Sequence, residues 1–96
     1  MNDDLAPAEQ ALTLGLLDRA ETLFREAAEA DPASSIAIAG LARVALERGD
    51  DARALQLAWQ AVSINPENDA AQRLATRLEE VLTTRGETLP SREVKR

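Results

Sequence analysis

The segment that decides the fold is residues 35–66, which read SIAIAGLARVALERGDDARALQLAWQAVSINP. Its apolar residues recur every three to four positions and never alternate strictly, which is typical of helices rather than strands. Gly49 provides the permissive backbone at which a helix can stop tightly, and Asn65–Pro66 ends the second half. The segment therefore predicts two consecutive helices joined by a short turn.

The same pattern occurs 34 residues earlier in the chain, where Pro32 corresponds to Pro66 and Gly15 to Gly49. Further identical residues at this interval include Ala8 and Ala42, Leu12 and Leu46, and Leu23 and Leu57. Glycine and proline that recur together at one interval indicate an internal repeat. We therefore predict two helix-turn-helix units in tandem.

A fifth helix is predicted after Pro66 and is expected to end near Arg85–Gly86. One face of it is apolar and the other polar, as a helix that caps a stack of repeats requires. The apolar face consists of Ala71, Leu74, Ala75, Leu78 and Leu82. The predicted helix caps are Asp3 or Asp4, Ser34 or Ser35, Asp50 or Asp51, and Asn68 or Asp69, with Asp18 near the start of the second helix.

The composition agrees with one small helical domain. Of the 96 residues, 45% are hydrophobic and only 2% are aromatic, so the core has to be built from Ala, Leu, Ile and Val. The net charge of -6 argues against a nucleic-acid-binding surface, which needs Lys and Arg to neutralise phosphates. No apolar run approaches the ~20 residues that a membrane span requires.

The residue inventory argues against catalysis. The chain has no His, Cys or Tyr, so its serines lack an imidazole that could activate them, and we predict neither a cofactor nor a metal site. Paired carboxylates such as Asp50–Asp51 and Glu79–Glu80 are interpreted as helix caps and solvated surface. The lack of cysteine and of a basic-then-apolar leader indicates the cytoplasm, and the preference for Arg over Lys suggests a GC-rich bacterial genome.

A 34-residue unit of two helices that ends in Pro, with small residues where the helices cross, resembles the tetratricopeptide repeat. The residues that carry the resemblance are Ala8, Gly15, Ala20, Phe24, Ala27 and Pro32 in the first unit and Ala42, Gly49, Ala54, Ala61 and Pro66 in the second. The resemblance covers about residues 2–84 and implies an all-α fold, a right-handed α-solenoid. The expected domain spans residues 1–84 and consists of two repeats, at about 1–34 and 35–68, and a capping helix at about 69–84. Gly86, Pro90 and the mixed charges beyond them predict a flexible basic tail at 85–96.

The sequence departs from the family pattern at a few positions. Pro7 stands where Leu is usual, so the first helix is expected to start late, and Asp4 replaces a common Trp. Ala58 replaces a bulky residue. We interpret the neighbouring Trp59 as filling the space that Ala58 leaves, with an exposed binding anchor as the alternative.

The resemblance implies that the first helix of each unit and the capping helix line a concave groove. On the first helix of the second unit, the stripe expected to face solvent is Ile36, Ala39, Gly40, Arg43, Leu46 and Glu47. The predicted groove residues are Leu5, Glu9, Leu12, Ile36, Ala39, Arg43, Leu46, Arg73 and Arg77. The apolar members suit a peptide or helix with apolar anchors, and the three arginines could bind a carboxylate.

Each arginine also has a candidate partner on its own helix, so the groove has a competing interpretation. The candidate pairs are Arg43 with Glu47, Arg73 with Asp69, and Arg77 with Glu80. Some members of the family hold the acidic C-termini of heat-shock chaperones with Lys, Arg and Asn residues. The corresponding positions of this sequence hold Leu5, Glu9, Gly40, Ala70 and Leu74, so this mode of binding is not predicted here.

The sequence therefore predicts a non-catalytic adaptor that binds a peptide or helix of another protein in this groove. The alternative is a structural unit that forms a homo-oligomer through the same surface.

Overall fold

The computed structural model describes residues 5–90, and these form five α-helices and no strand. The helices are α1 (Ala6–Thr13), α2 (Leu17–Ala30), α3 (Ser35–Glu47), α4 (Asp51–Ile64) and α5 (Asp69–Thr84). Each helix packs against the next one in chain order. The predicted all-α fold is confirmed. Residues 1–4, with the proposed caps Asp3 and Asp4, and the tail residues 91–96 lie outside the described part.

The turns after α1, α3 and α5 share one geometry. Their glycines have φ values of 78°, 85° and 77°, at Gly15, Gly49 and Gly86 respectively. The residue after each glycine donates its backbone N–H to a carbonyl in the last turn of the helix, at 2.9 Å in all three cases. Because a side chain is strained at such φ values, glycine allows each helix to stop and the chain to reverse.

Side chains cap the last three helices. Ser34, Asp50 and Asn68 each accept a hydrogen bond from a backbone N–H in the first turn of α3, α4 and α5 respectively. The residues before α1 and α2 are Leu5 and Leu16, which make no side-chain cap hydrogen bond. Pro7 lies in the first turn of α1, and Asp18 lies in the first turn of α2.

A buried hydroxyl links the start of α5 to α3 and α4. Ser35 Oγ donates to the carbonyl of Ala61 at 2.8 Å, and it accepts from Asn68 Nδ2 at 2.8 Å. Asn68 Oδ1 in turn accepts from the backbone N–H of Ala71. Since Ser35 is only 5% exposed, these bonds satisfy a polar group that would otherwise be costly to bury.

The core has two parts. Phe24 is completely buried among residues of α1, α2 and α3, and the larger part lies between α3, α4 and α5. Leu41 packs against both parts. Trp59 belongs to the larger part and is 7% exposed, so it fills space inside the protein and is not an exposed anchor.

Gly40 allows α3 to approach Phe24 closely. A Cβ atom at Gly40 would lie 2.3 Å from two ring carbons of Phe24. The phenylalanine ring is completely buried, so a shift of the ring would have to displace its neighbours in the core. Gly40 is therefore required by packing in the middle of a helix, where glycine normally weakens the structure.

We expect Gly40→Ala to destabilise the protein by about 1 to 3 kcal/mol, because the added methyl overpacks the core. In an exposed helix interior, alanine is instead more stable than glycine by about 1 kcal/mol. Urea unfolding followed by circular dichroism measures the effect. The reference is the difference in stability between Gln56→Gly and Gln56→Ala, since position 56 of α4 is exposed. The same change should cost less in a Phe24→Leu background. Equal or higher stability of Gly40→Ala would contradict the close approach.

Candidate functional site

α1 and α3 line one open cavity with a volume of about 400 Å³. Its lining residues are Leu12, Thr13, Gly15, Arg43, Leu46 and Glu47. Leu12 and Leu46 occupy the same position in the two repeats, and both are half-buried. Three of the predicted groove residues, Leu12, Arg43 and Leu46, therefore meet at one place.

An ion pair joins the two helices beside this cavity. Arg43 Nη1 donates to both carboxylate oxygens of Glu9, at 2.8 Å and 3.1 Å. Arg43 and Glu47, which both lie in the described part of the chain, do not form the ion pair that their spacing on α3 suggests. Because the two side chains are 42% and 43% exposed, solvent limits the contribution of the pair to about 1 kcal/mol or less.

The two arginines of α5 differ in their partners. Arg73 pairs with Asp69 on its own helix, as the spacing suggested, and both side chains are largely exposed. Arg77 is exposed and forms no ion pair within residues 5–90, so the suggested pairing with Glu80 is not formed there. Arg77 occupies the position in α5 that Arg43 occupies in α3.

The remaining predicted residues differ in their exposure. Ile36 is 60% exposed and Leu5 is half-buried, so both offer apolar surface. Ala39 is 9% exposed and belongs to the core between α3, α4 and α5. The expectation that the whole α3 stripe faces solvent is wrong for Gly40, which is buried against Phe24, and Ala39 offers a partner little surface.

A second charged cluster, which sequence reasoning missed, joins α2 to the end of α3. Arg48 Nη2 donates to Asp18 Oδ1 at 2.7 Å and to Glu21 Oε1 at 2.9 Å. The hydrogen bond to Asp18 is the main reason why the pKa of Arg48 lies above its ordinary value. Since arginine is charged at physiological pH in any case, the role of Arg48 in this cluster is to link α2 to the end of α3.

Of the helices in residues 5–90, none combines the length and the apolar character needed to cross a bilayer. In the same part of the chain, no three or more Asp and Glu side chains cluster in a way that could hold a metal ion.

The model of the tetratricopeptide repeat family matches residues 4–78 of the chain. The match spans α1 to α4 and the first part of α5. No curated protein and no solved structure matches the chain.

Proposed function

Since this chain belongs to the tetratricopeptide repeat family, whose members generally act as non-catalytic interaction modules, we propose that it is an adaptor for another protein. It binds a peptide or helix of that partner in a groove along α1, α3 and α5. The observation that carries the proposal is the open cavity between α1 and α3, with Leu12 and Leu46 in its wall. The proposed setting is the cytoplasm of a bacterium.

Apolar contacts supply most of the proposed affinity. Leu12, Leu46 and Ile36 keep part of their side chains exposed when the protein is alone. Full burial of such a side chain is worth about 1.5 to 3 kcal/mol, whereas association costs about 4 to 15 kcal/mol in lost freedom of motion. These three side chains by themselves therefore support only weak binding, no tighter than about 0.2 mM, and a tighter complex needs further contacts along the groove.

Charge orients the bound segment. Arg43 is already paired with Glu9, and Arg73 with Asp69, so a carboxylate of the partner would have to compete for them. Arg77 is exposed and has no ion-pair partner among residues 5–90. A carboxylate of the partner is therefore expected to pair first with Arg77, through a charge-assisted hydrogen bond. The alternative occupant of the groove is a second copy of the chain.

We expect Leu46→Glu to abolish capture of the partner from the native host, because it places a charge in the wall of the cavity. The matched control is Leu89→Glu, which makes the same change at an exposed position after α5 and should leave capture unchanged. The readout is the set of proteins recovered by affinity capture with each variant.

Leu46 also packs against the core, so Leu46→Glu is expected to lower stability somewhat. Arg77→Glu lies at an exposed position and should keep the wild-type melting temperature while weakening capture, more strongly at low salt. Retention of every captured protein by both variants would place partner binding elsewhere. Wild-type protein that captures nothing but itself would contradict the adaptor proposal, and loss of that self-capture in Leu46→Glu would favour self-association through the groove.

A further inference from the structure

One side of α2 carries a row of residues spaced by three and four positions. The row, called the outer stripe below, consists of Leu16, Arg19, Leu23, Glu26 and Ala30. Leu16 is 50% exposed and Leu23 is half-buried, while the other three residues are exposed. This spacing places Arg19, Leu23, Glu26 and Ala30 on one narrow face of α2, as in helices that pair along their length, and Leu16 directly precedes the helix.

The leucine at the equivalent position of α4 is covered, although the arginine beside it is exposed. Thirty-four residues after Arg19 and Leu23 come Arg53 and Leu57, and Leu57 is only 6% exposed. Arg53 and Leu57 line the same cavity as Glu21 and Arg25, so this face of α4 is turned towards α2. Within residues 5–90, α2 packs mainly on α1 and α3. Leu23 of the outer stripe is therefore less covered than Leu57, its equivalent in α4.

We propose that the outer stripe is the interface with a second copy of this chain. The two α2 helices lie antiparallel, with the two-fold axis between Thr22 and Leu23. A two-fold interface requires that each group on the stripe meets a complementary group on the same stripe. The outer stripe meets this requirement, because a positive and a negative residue lie at equal distances on either side of its centre.

The pairing can be followed residue by residue. Arg19 and Glu26 lie about 10 Å apart along the helix. In the antiparallel arrangement, Arg19 therefore faces Glu26 of the second copy, and Glu26 faces Arg19 of the second copy. Leu23 meets Leu23 of the second copy near the axis, and Leu16 lies beside Ala30 of the second copy. Neither Arg19 nor Glu26 forms an ion pair within residues 5–90, so both are available for the second copy.

Charge complementarity decides between a second copy and an unrelated helix as the occupant. A second copy requires Arg19 and Glu26 to lie symmetrically about the axis between Thr22 and Leu23, whereas an unrelated helix does not. The interface also lies on α2, whereas the proposed partner groove lies along α1, α3 and α5. Dimerisation therefore leaves that groove open.

Sedimentation equilibrium of the full chain tests the proposal. We expect the wild-type protein to change from monomer to dimer as its concentration rises. Arg19→Glu and Glu26→Arg, made separately, should each weaken the dimer about tenfold or more, because like charges then face each other across the axis. Mixing these two variants should restore dimers, since each charge again meets its opposite. Both positions are exposed, so circular dichroism should show unchanged folding.

Three results would overturn the proposal. The first is wild-type protein that stays monomeric up to about 1 mM, which leaves room only for very weak association. The second is a dimer that persists in both single variants. The third is single variants that dissociate but do not pair when mixed. A dimer that is insensitive to Arg19→Glu and lost in Leu46→Glu would assign self-association to the groove instead.

Discussion

Phe24→Ala is expected to lower the free energy of unfolding by about 3 to 5 kcal/mol, because it removes a large side chain from a core that cannot collapse around the space. Phe24 is completely buried, and it is the only aromatic residue in the core shared by α1, α2 and α3. Its neighbours there include Ala8, Ala11 and Ala20, which are too small to fill the cavity. This loss is a large part of the total stability, because a 96-residue domain has only about 5 to 14 kcal/mol.

Urea unfolding followed by circular dichroism measures this effect. The matched control is Ile36→Ala, which also removes a large apolar side chain but at a position that is 60% exposed. That variant should stay within about 0.5 kcal/mol of wild type. If Phe24→Ala and Ile36→Ala unfold at the same urea concentration, Phe24 does not hold the first repeat together as the structure indicates.

Trp59→Ala is expected to cost a similar amount, about 3 to 5 kcal/mol, since it also removes a large buried side chain. The indole packs in the core between α3, α4 and α5, and its Nε1–H donates to Glu79 Oε2 at 2.6 Å. The substitution therefore removes both a packed ring and a hydrogen bond between α4 and α5. We expect α5 to lose helical content first, because its apolar face packs on α4.

Two milder variants separate the contributions at Trp59. Trp59→Phe keeps most of the apolar volume but loses the hydrogen-bond donor and part of the buried ring, so it should cost less than Trp59→Ala. Glu79→Gln keeps an oxygen that can accept from the indole and should cost about 1 kcal/mol or less. Circular dichroism during thermal unfolding reports all three. A melting curve of Trp59→Ala that matches wild type would mean that the indole is not part of the core.

The candidate groove was only partly predictable. The resemblance to the family predicts Leu12, Arg43 and Leu46 on one surface, and the structure does bring them to one cavity. Glu9 and Arg43 both belong to the predicted groove, but the sequence does not predict their mutual ion pair. The spacing rule for charges on one helix suggested Glu47 instead, and that rule carries no information about a neighbouring helix.

The helices, their turns and the family follow from the order of residues along the chain. The apolar spacing, the capping side chains and glycines such as Gly49 act over a few neighbouring residues, and local signals of this kind can be read from a sequence. The burial of Gly40 under Phe24 and the ion pairs of Arg43 and Arg48 could not be read in this way. They depend on the distance and rotation between helices that are far apart in the chain, and only the packing of side chains in the folded protein sets those quantities.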